Sequence, residues 1–287
     1  MSHLSSALFM AVVAFTLIIL VGSYFAGLLG SLTGLGGGFV IIPLLTLGLN
    51  VDIHYAIGAS LVSVIATSSG SAAAFVKEGI TNMRLGMFLE IATTIGAACG
   101  AILALYLPTQ YIAIIFGVIL IGSALLSLKK KTENIVREKS YLAEKLKLNS
   151  SYPGPNGTIE YSVTRVGGGF FMMIFAGIIS GLLGIGSGAL KVIAMDTIMR
   201  IPFKVSTTTS NFMIGVTASA SAVVYFQRGY ISPGLSMPVV IGVLAGAYTG
   251  SKILVNTGSS TWLRYVFAIV ISALAVQMIY HGLTGKI

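Results

Sequence analysis

The chain has 287 residues, of which 55% are hydrophobic and only 9% charged, with a mean hydropathy of +0.95. That excludes an average soluble domain, in which about a quarter of residues are charged, and puts the chain in a membrane. The formal charge of +9 is concentrated: eight of the 17 Lys and Arg fall between Lys129 and Arg165, beside four Glu. No compact basic fold accompanies that charge, so nucleic acid is not expected as a partner.

The first apolar run, Ala7–Leu29, lacks a basic leader and a small-residue cleavage site, and is expected to remain as a membrane span. After the glycine cluster Gly34-Leu35-Gly36-Gly37-Gly38 comes a short run, Phe39–Leu49, and then Tyr55–Val76, Gly86–Leu107 and Tyr111–Leu128. Beyond a polar stretch the order resumes with Gly168–Leu183, the cluster Gly184-Ile185-Gly186-Ser187-Gly188 and the short run Leu190–Met199. Val205–Phe226, Pro238–Val255 and Tyr265–Tyr280 complete it. The long runs approach or exceed the roughly 20 residues that cross a bilayer as a helix. The two short runs hold about ten residues each, roughly 15 Å of helix, and read as half-helices or re-entrant segments.

The two glycine clusters lie 150 residues apart (184 − 34 = 150), and the offset persists. Gly27 matches Gly177, Ser60 Ser210, Gly79 Gly229, Gly96 Gly246 and Gly100 Gly250. The expected fold is therefore an all-α polytopic membrane protein of about eight to ten transmembrane helices in two repeats, with short broken helices after the glycine motifs. Residues 1–128 form the first repeat, 129–165 a polar cytoplasmic linker and 166–287 the second repeat. In the linker, Ile135, Tyr141, Leu142 and Leu146 suggest a short amphipathic helix, followed by a loop through Pro153-Gly154-Pro155-Asn156-Gly157. A solvated linker whose charge sets topology is the plainer reading; a stripe for anionic lipid headgroups is the alternative. By the positive-inside rule this loop is cytoplasmic. Both termini lie outside if the short runs cross, and inside if they re-enter.

Glycine allows sharp turns and close backbone approach to a ligand, and a helix starting there has four N–H groups without intrahelical partners. Such ends carry partial positive charge and cannot face lipid, so a polar cavity or an anion is implied. Paired broken helices in two halves are a pointer to a transporter's binding site; close packing of small residues is the competing explanation. The candidate substrate-binding residues are Gly34, Gly36, Gly37 and Gly38 in the first half and Gly184, Gly186, Ser187 and Gly188 in the second. Ser60, Ser210 and Asn211, near helix starts, add hydroxyl and amide donors. Further hydroxyls at Thr67, Ser69, Ser71, Thr217, Ser219 and Ser221 read as interhelical glue.

Lys191 follows Gly188 by three residues, where the first half has Ile41. An intramembrane charge is a functional candidate: it serves an anion, pairs with Asp196, or snorkels to an interface. Glu90 either carries a proton or sits at the interface. The single cysteine, Cys99, reads as a packing residue, and no His, Cys and acid spacing resembles a metal site. No nucleophile–base constellation points to an enzyme, and no cofactor is expected.

Gly27-Leu28-Leu29-Gly30, followed by Gly34-Leu35-Gly36-Gly37-Gly38-Phe39-Val40-Ile41-Ile42-Pro43, resembles the opening of the sulfite exporter TauE/SafE family. So do Ser180–Gly188, the Ser/Thr-Asn helix start and the Arg228-Gly229-Tyr230 turn. The resemblance covers nearly the whole chain apart from residues 129–165. It implies a two-repeat transporter in the cell membrane, exporting sulfite, a sulfonate or a similar small anion. The second motif departs by continuing Gly-Ala-Leu-Lys rather than Gly-Phe-Val. The expected mechanism is alternating access with the two glycine motifs cradling the anion. Export of a lone anion gains roughly 2.3 kcal/mol per 100 mV of an inside-negative potential, with proton or sodium coupling as further options. An anion channel, or a structural or sensory membrane protein, are the rival readings.

Overall fold

The computed structural model describes residues 2–33, 37–77, 79–128, 140–154, 157–257 and 261–285. The chain opens with α1 (Ser2–Thr33), the short α2 (Gly38–Pro43) and a π-helical turn at Leu44–Gly48. Then come α3 (Ile53–Lys77), α4 (Met83–Ala104) and α5 (Thr109–Leu128). A short α6 (Tyr141–Lys145) and a hairpin of β1 (Ser150–Gly154) and β2 (Gly157–Tyr161) precede α7 (Val166–Leu183) and α8 (Gly188–Ile193). A second π-helical turn at Ala194–Ile198, α9 (Phe203–Gln227), α10 (Pro233–Thr257) and α11 (Thr261–Thr284) follow. Each long apolar run is thus a long helix, and each short run is a six-residue helix continued by a π turn. The protein is an all-α, polytopic membrane protein. Among the described residues four stretches are long and apolar enough to cross: Met10–Gly30, Met83–Ala104, Val166–Leu183 and Pro233–Gly250.

Element bounds recur at the offset found in the sequence. α2 and α8 are 150 residues apart (188 − 38 = 150), as are the two π turns and the starts of α3 and α9. Local geometry recurs too: Val51 N donates to Leu45 O and Ile201 N to Met195 O, both at 3.0 Å. The residue ahead of each of these amides is left-handed, Asn50 at φ 51° and Arg200 at φ 56°. Pro43 precedes the first π turn, but Ile193 precedes the second, so proline does not cause that geometry. π turns inside helices are frequent at functional sites.

Two compact units divide the chain, and each draws on both halves of the sequence. The first comprises Met1–Ser63, Thr109–Ser127 and Phe226–Ile287, the second Val64–Pro108 and Leu128–Tyr225. In the first, α1 packs along α10. A Cβ added at Gly27, Gly242 or Gly246 would come within 3.0 Å of a backbone carbonyl oxygen on the facing helix. In the second, α4 packs along α7 in the same way, through Gly96 and Gly100 on one side and Gly177 and Gly181 on the other. Lipid supplies no hydrophobic drive between helices, so association depends on close packing of this kind. These glycines therefore have a packing role, which the recurring glycine pairs alone did not distinguish from a ligand role. The opposite face of α4 carries Met87, Ile91, Ile95 and Ile102, all exposed, and Cys99 points the same way rather than into the packing. An apolar outer face and a glycine-lined inner face are what a lipid-facing helix requires.

The polar stretch is more structured than a solvated linker. Residues 129–139 and 155–156 lie outside the described residues, but within the expected loop at 153–157 Pro153 and Gly154 end β1 and Gly157 opens β2, with Gly154 paired to Gly157. Leu148, Tyr152, Tyr161 and Val163 are buried with Leu85, Leu89, Met195, Met199 and Val205 in one apolar cluster of the second unit. Asn82 ties this together. Its Oδ1 accepts from Leu85 N (3.0 Å), capping α4, and its Nδ2 donates to Leu148 O and to Tyr161 Oη, both at 2.9 Å. Burial pushes the Tyr161 hydroxyl up to about 12, against the smaller opposing effect of the Asn82 hydrogen bond.

Replacing Gly100 by Val forces a side chain into the Ile178 carbonyl, and overpacking of this kind costs about 1–3 kcal/mol. The melting temperature of the purified protein in detergent is expected to fall for Gly100→Val. It is expected to hold for Gly122→Ala, where an added Cβ meets nothing within 4 Å.

Candidate functional site

The second glycine motif builds a break between α7 and α8. Gly184 ends α7 in the left-handed region (φ 65°), its N–H donating to Ser180 O at 2.8 Å, and Gly186 repeats that conformation at φ 73°. Ser187 follows at φ 44°, a conformation that costs a non-glycine residue on the order of 1 kcal/mol or more. Its carbonyl accepts Lys191 N at 3.1 Å, while its hydroxyl oxygen is buried and has no hydrogen-bond partner. Such strain persists only where the surroundings impose it, and it clusters at ligand sites.

One face of α9 covers this break. Ser210, Ile214 and Thr217 recur at the spacing that aligns side chains along a helix. Ser210 Oγ donates to Gly188 O at 3.1 Å, pinning the first residue of α8. Ile214 presses so closely on Gly186 and Gly188 that a Cβ at either would meet its side chain at 2.7 Å. Thr217, one turn on, accepts from Lys191 Nζ at 2.5 Å and donates to Glu90 Oε1 of α4 at 2.6 Å.

Lys191 is the centre of this arrangement. Its side chain has 0% exposure, so it neither snorkels to an interface nor reaches solvent, and its hydrogen bond goes across to Thr217 rather than along α8 to Asp196. Glu90, 7% exposed, receives a second hydroxyl from Thr94 at 3.2 Å. Its other oxygen, Oε2, is buried without a partner. Burying either charge alone costs on the order of several kcal/mol. Through one shared hydroxyl the two compensate each other without direct contact.

The remaining expected residues fall elsewhere. Gly34 and Gly36 lie outside the described residues. Gly37 and Gly38 belong to the first unit, where Gly37 takes an ordinary helical conformation and its carbonyl accepts Val40 N and Ile41 N. Ser60 is buried in the same unit. Asn211 is half-buried beside Ser210 on α9. Most of the other hydroxyls expected to join helices instead donate to carbonyls of their own helix: Thr67 to Val64 O, Ser69 to Ile65 O, Ser219 to Gly215 O and Ser221 to Thr217 O. Thr217 lies 3.0 Å from Met213 O of its own helix but also bonds across to Lys191 and Glu90. The side chain of Ser71 is not among those described. Sequence reasoning placed neither Glu90 nor Thr217 in the site, although an acid within a span was the available signal.

With this geometry in view, comparison with known proteins is decisive on family. The profile of the sulfite exporter TauE/SafE family matches residues 18–278. The chain belongs to this family. Among its relatives is a probable membrane transporter protein, YunE of Bacillus subtilis, 28% identical over 278 residues covering 94% of this chain and 99% of the relative. A second from the same organism, the probable membrane transporter protein YdhB, is 29% identical over 82% of this chain and 89% of its own. A probable membrane transporter protein of Xylella fastidiosa is 24% identical over 93% and 96%. No solved structure matches the chain. This TauE/SafE protein is a multi-pass membrane transporter and not an enzyme.

Replacing Ser187 by Gly relieves the left-handed strain and removes an unpartnered buried hydroxyl. The expected outcome is a protein about 1 kcal/mol more stable to thermal unfolding, read as a higher melting temperature in detergent.

Proposed function

We propose that this TauE/SafE transporter exports a small sulfur-containing anion, sulfite or a sulfonate, by alternating access, and that Lys191 supplies the charge that holds it. The observation that carries the reading is a fully buried ammonium, three residues past a left-handed glycine break, held by a hydroxyl. An anion leaving water must recover its hydration, and a buried cation does so far better than neutral donors alone. Ser187, with its unpartnered hydroxyl, supplies a further donor. Ser210 acts by positioning, because its proton is engaged on Gly188 O. The family to which the chain belongs is itself described as a sulfite exporter family, which favours this substrate class. The two halves of the sequence, 1–128 and 166–287, then act as repeats around a central insert.

Reconstituted in liposomes, the wild-type protein is expected to carry radiolabelled sulfite with saturable kinetics. Lys191→Ala is expected to lower the flux at least about tenfold, the equivalent of roughly 1.4 kcal/mol in binding. Non-saturating single-channel currents would instead make it an anion channel. Absence of flux for sulfite and for a sulfonate would leave a transporter of another substrate class.

A further inference from the structure

Glu90 is a buried carboxylate for which transport of an anion on Lys191 gives no use. It lies in α4, which packs along α7 and meets α9 at Thr217. α7 has no acidic, basic, tyrosine or cysteine side chain. α9 has Lys204, which is exposed, and Tyr225, whose hydroxyl donates to Leu182 O at 3.4 Å. Asp196 lies half-buried in the π turn beyond α8. Among the described residues, Lys191 is the charge that acts on Glu90, and Glu90 the charge that acts on Lys191. They share the Thr217 hydroxyl, and one carboxylate oxygen, Oε2, faces no donor at all.

From this geometry we infer that Glu90 is a proton-binding site coupled to the anion, so that one proton moves with each monoanion. The inference rests on Lys191 being the anion's partner. With the site empty, Lys191 as ammonium and Glu90 as carboxylate sum to zero charge. A monoanion arriving at Lys191 brings the buried cluster to −1, which is costly away from water. A proton taken up by Glu90 restores zero. A proton without the anion gives +1, equally costly. Two neutral states exist, empty with Glu90 ionised and loaded with Glu90 protonated, and cycling between them carries both ions in the same direction. In the step itself no covalent bond to the substrate changes. One O–H bond forms at a Glu90 carboxyl oxygen on loading and breaks on release, the proton coming from and returning to water on either side.

Thr217 is the element that links the two events. Its hydroxyl donates to Glu90 while Glu90 is ionised and Lys191 donates to it in turn. When Glu90 protonates, its need for that donor falls and the hydroxyl is free to reorient as the ammonium turns to the anion. In the loaded state the carboxyl also gains a donor of its own. The electrical drive available to a lone anion is absent from this scheme, since each loaded cycle is electroneutral. The gradients of substrate and of protons set direction and extent.

The test uses the full protein in liposomes, with a radiolabelled alkanesulfonate, a permanent monoanion without a membrane-permeant neutral form, at acidic pH on both sides. Protein-free liposomes give the leak. With membrane potential clamped at zero, the wild type is expected to accumulate the anion about tenfold on the alkaline side per unit of imposed pH difference, since one proton accompanies each anion. A potential imposed at equal pH is expected to produce no accumulation. In Glu90→Gln the pH dependence is expected to vanish, the ratio staying near 1 at every imposed pH difference. Accumulation that follows potential or a sodium gradient in the wild type overturns the inference, as does an unchanged pH response in Glu90→Gln. The wild-type arm decides alone if that variant does not fold. Sulfonate flux without proton coupling defeats this inference only, whereas no protein-dependent flux of either sulfonate or sulfite defeats the reading of the substrate class beneath it.

Discussion

A lysine without solvent exposure, in a bundle whose surroundings are largely apolar, is the constraint on which the second unit depends. Its charge can be kept only if something compensates it, and here that is Glu90, reached through the Thr217 hydroxyl. Three elements distant in sequence must therefore be held in one register: α4, α8 and α9. A shift of one turn along α9 would take Thr217 away from both partners and leave two buried charges unpaired. Breaking a buried pair is costly, on the order of 3–5 kcal/mol, even where the intact pair adds little net stability. The arrangement makes more sense as a functional device than as a stabilising one.

The glycine seams supply the register. α4 approaches α7 so closely at Gly96, Gly100, Gly177 and Gly181 that backbones touch, which fixes the height of Glu90 relative to the end of α7, where the left-handed break begins. From there Ser210 pins α8 to α9 through Gly188 O, and Ile214 fills the space that the two glycines leave. The hairpin insert closes the same unit at the start of α4, with Asn82 capping the helix and holding both Leu148 O and Tyr161. Rigid packing of these parts leaves strain at Ser187 and an unpartnered oxygen on Glu90 as the places where the structure has yet to be satisfied.

Much of the fold was legible, because length and hydropathy dictate helices that cross a membrane and the glycine clusters mark where they break. The half-length of α2 and α8 followed directly from ten-residue runs. The hairpin was not, because Pro153, Gly154 and Gly157 read as loop formers, and the buried alternation of Tyr161 and Val163 is too short to register as a strand. At the candidate site, the sharp turns at Gly184 and Gly186 were legible from local pattern, and Lys191 stood out as a charge in an apolar run. Ser210 was expected near a helix start, but α9 begins at Phe203, so it lies two turns inside and bonds to α8 instead. The link from Lys191 to Glu90 was out of reach, since residues about a hundred positions apart are joined only by tertiary packing. Abundant glycine also masked a distinction: Gly184 and Gly186 are needed for their φ, whereas Gly177 and Gly181 are needed for their missing side chains.

The most direct check of Lys191 as the anion's partner is an experimental map of the protein with selenite, the heavier counterpart of sulfite. Density for the oxyanion within hydrogen-bond reach of Lys191 Nζ and Ser187 Oγ is the expected result. Selenite bound elsewhere, with Lys191 still held by Thr217, would contradict it.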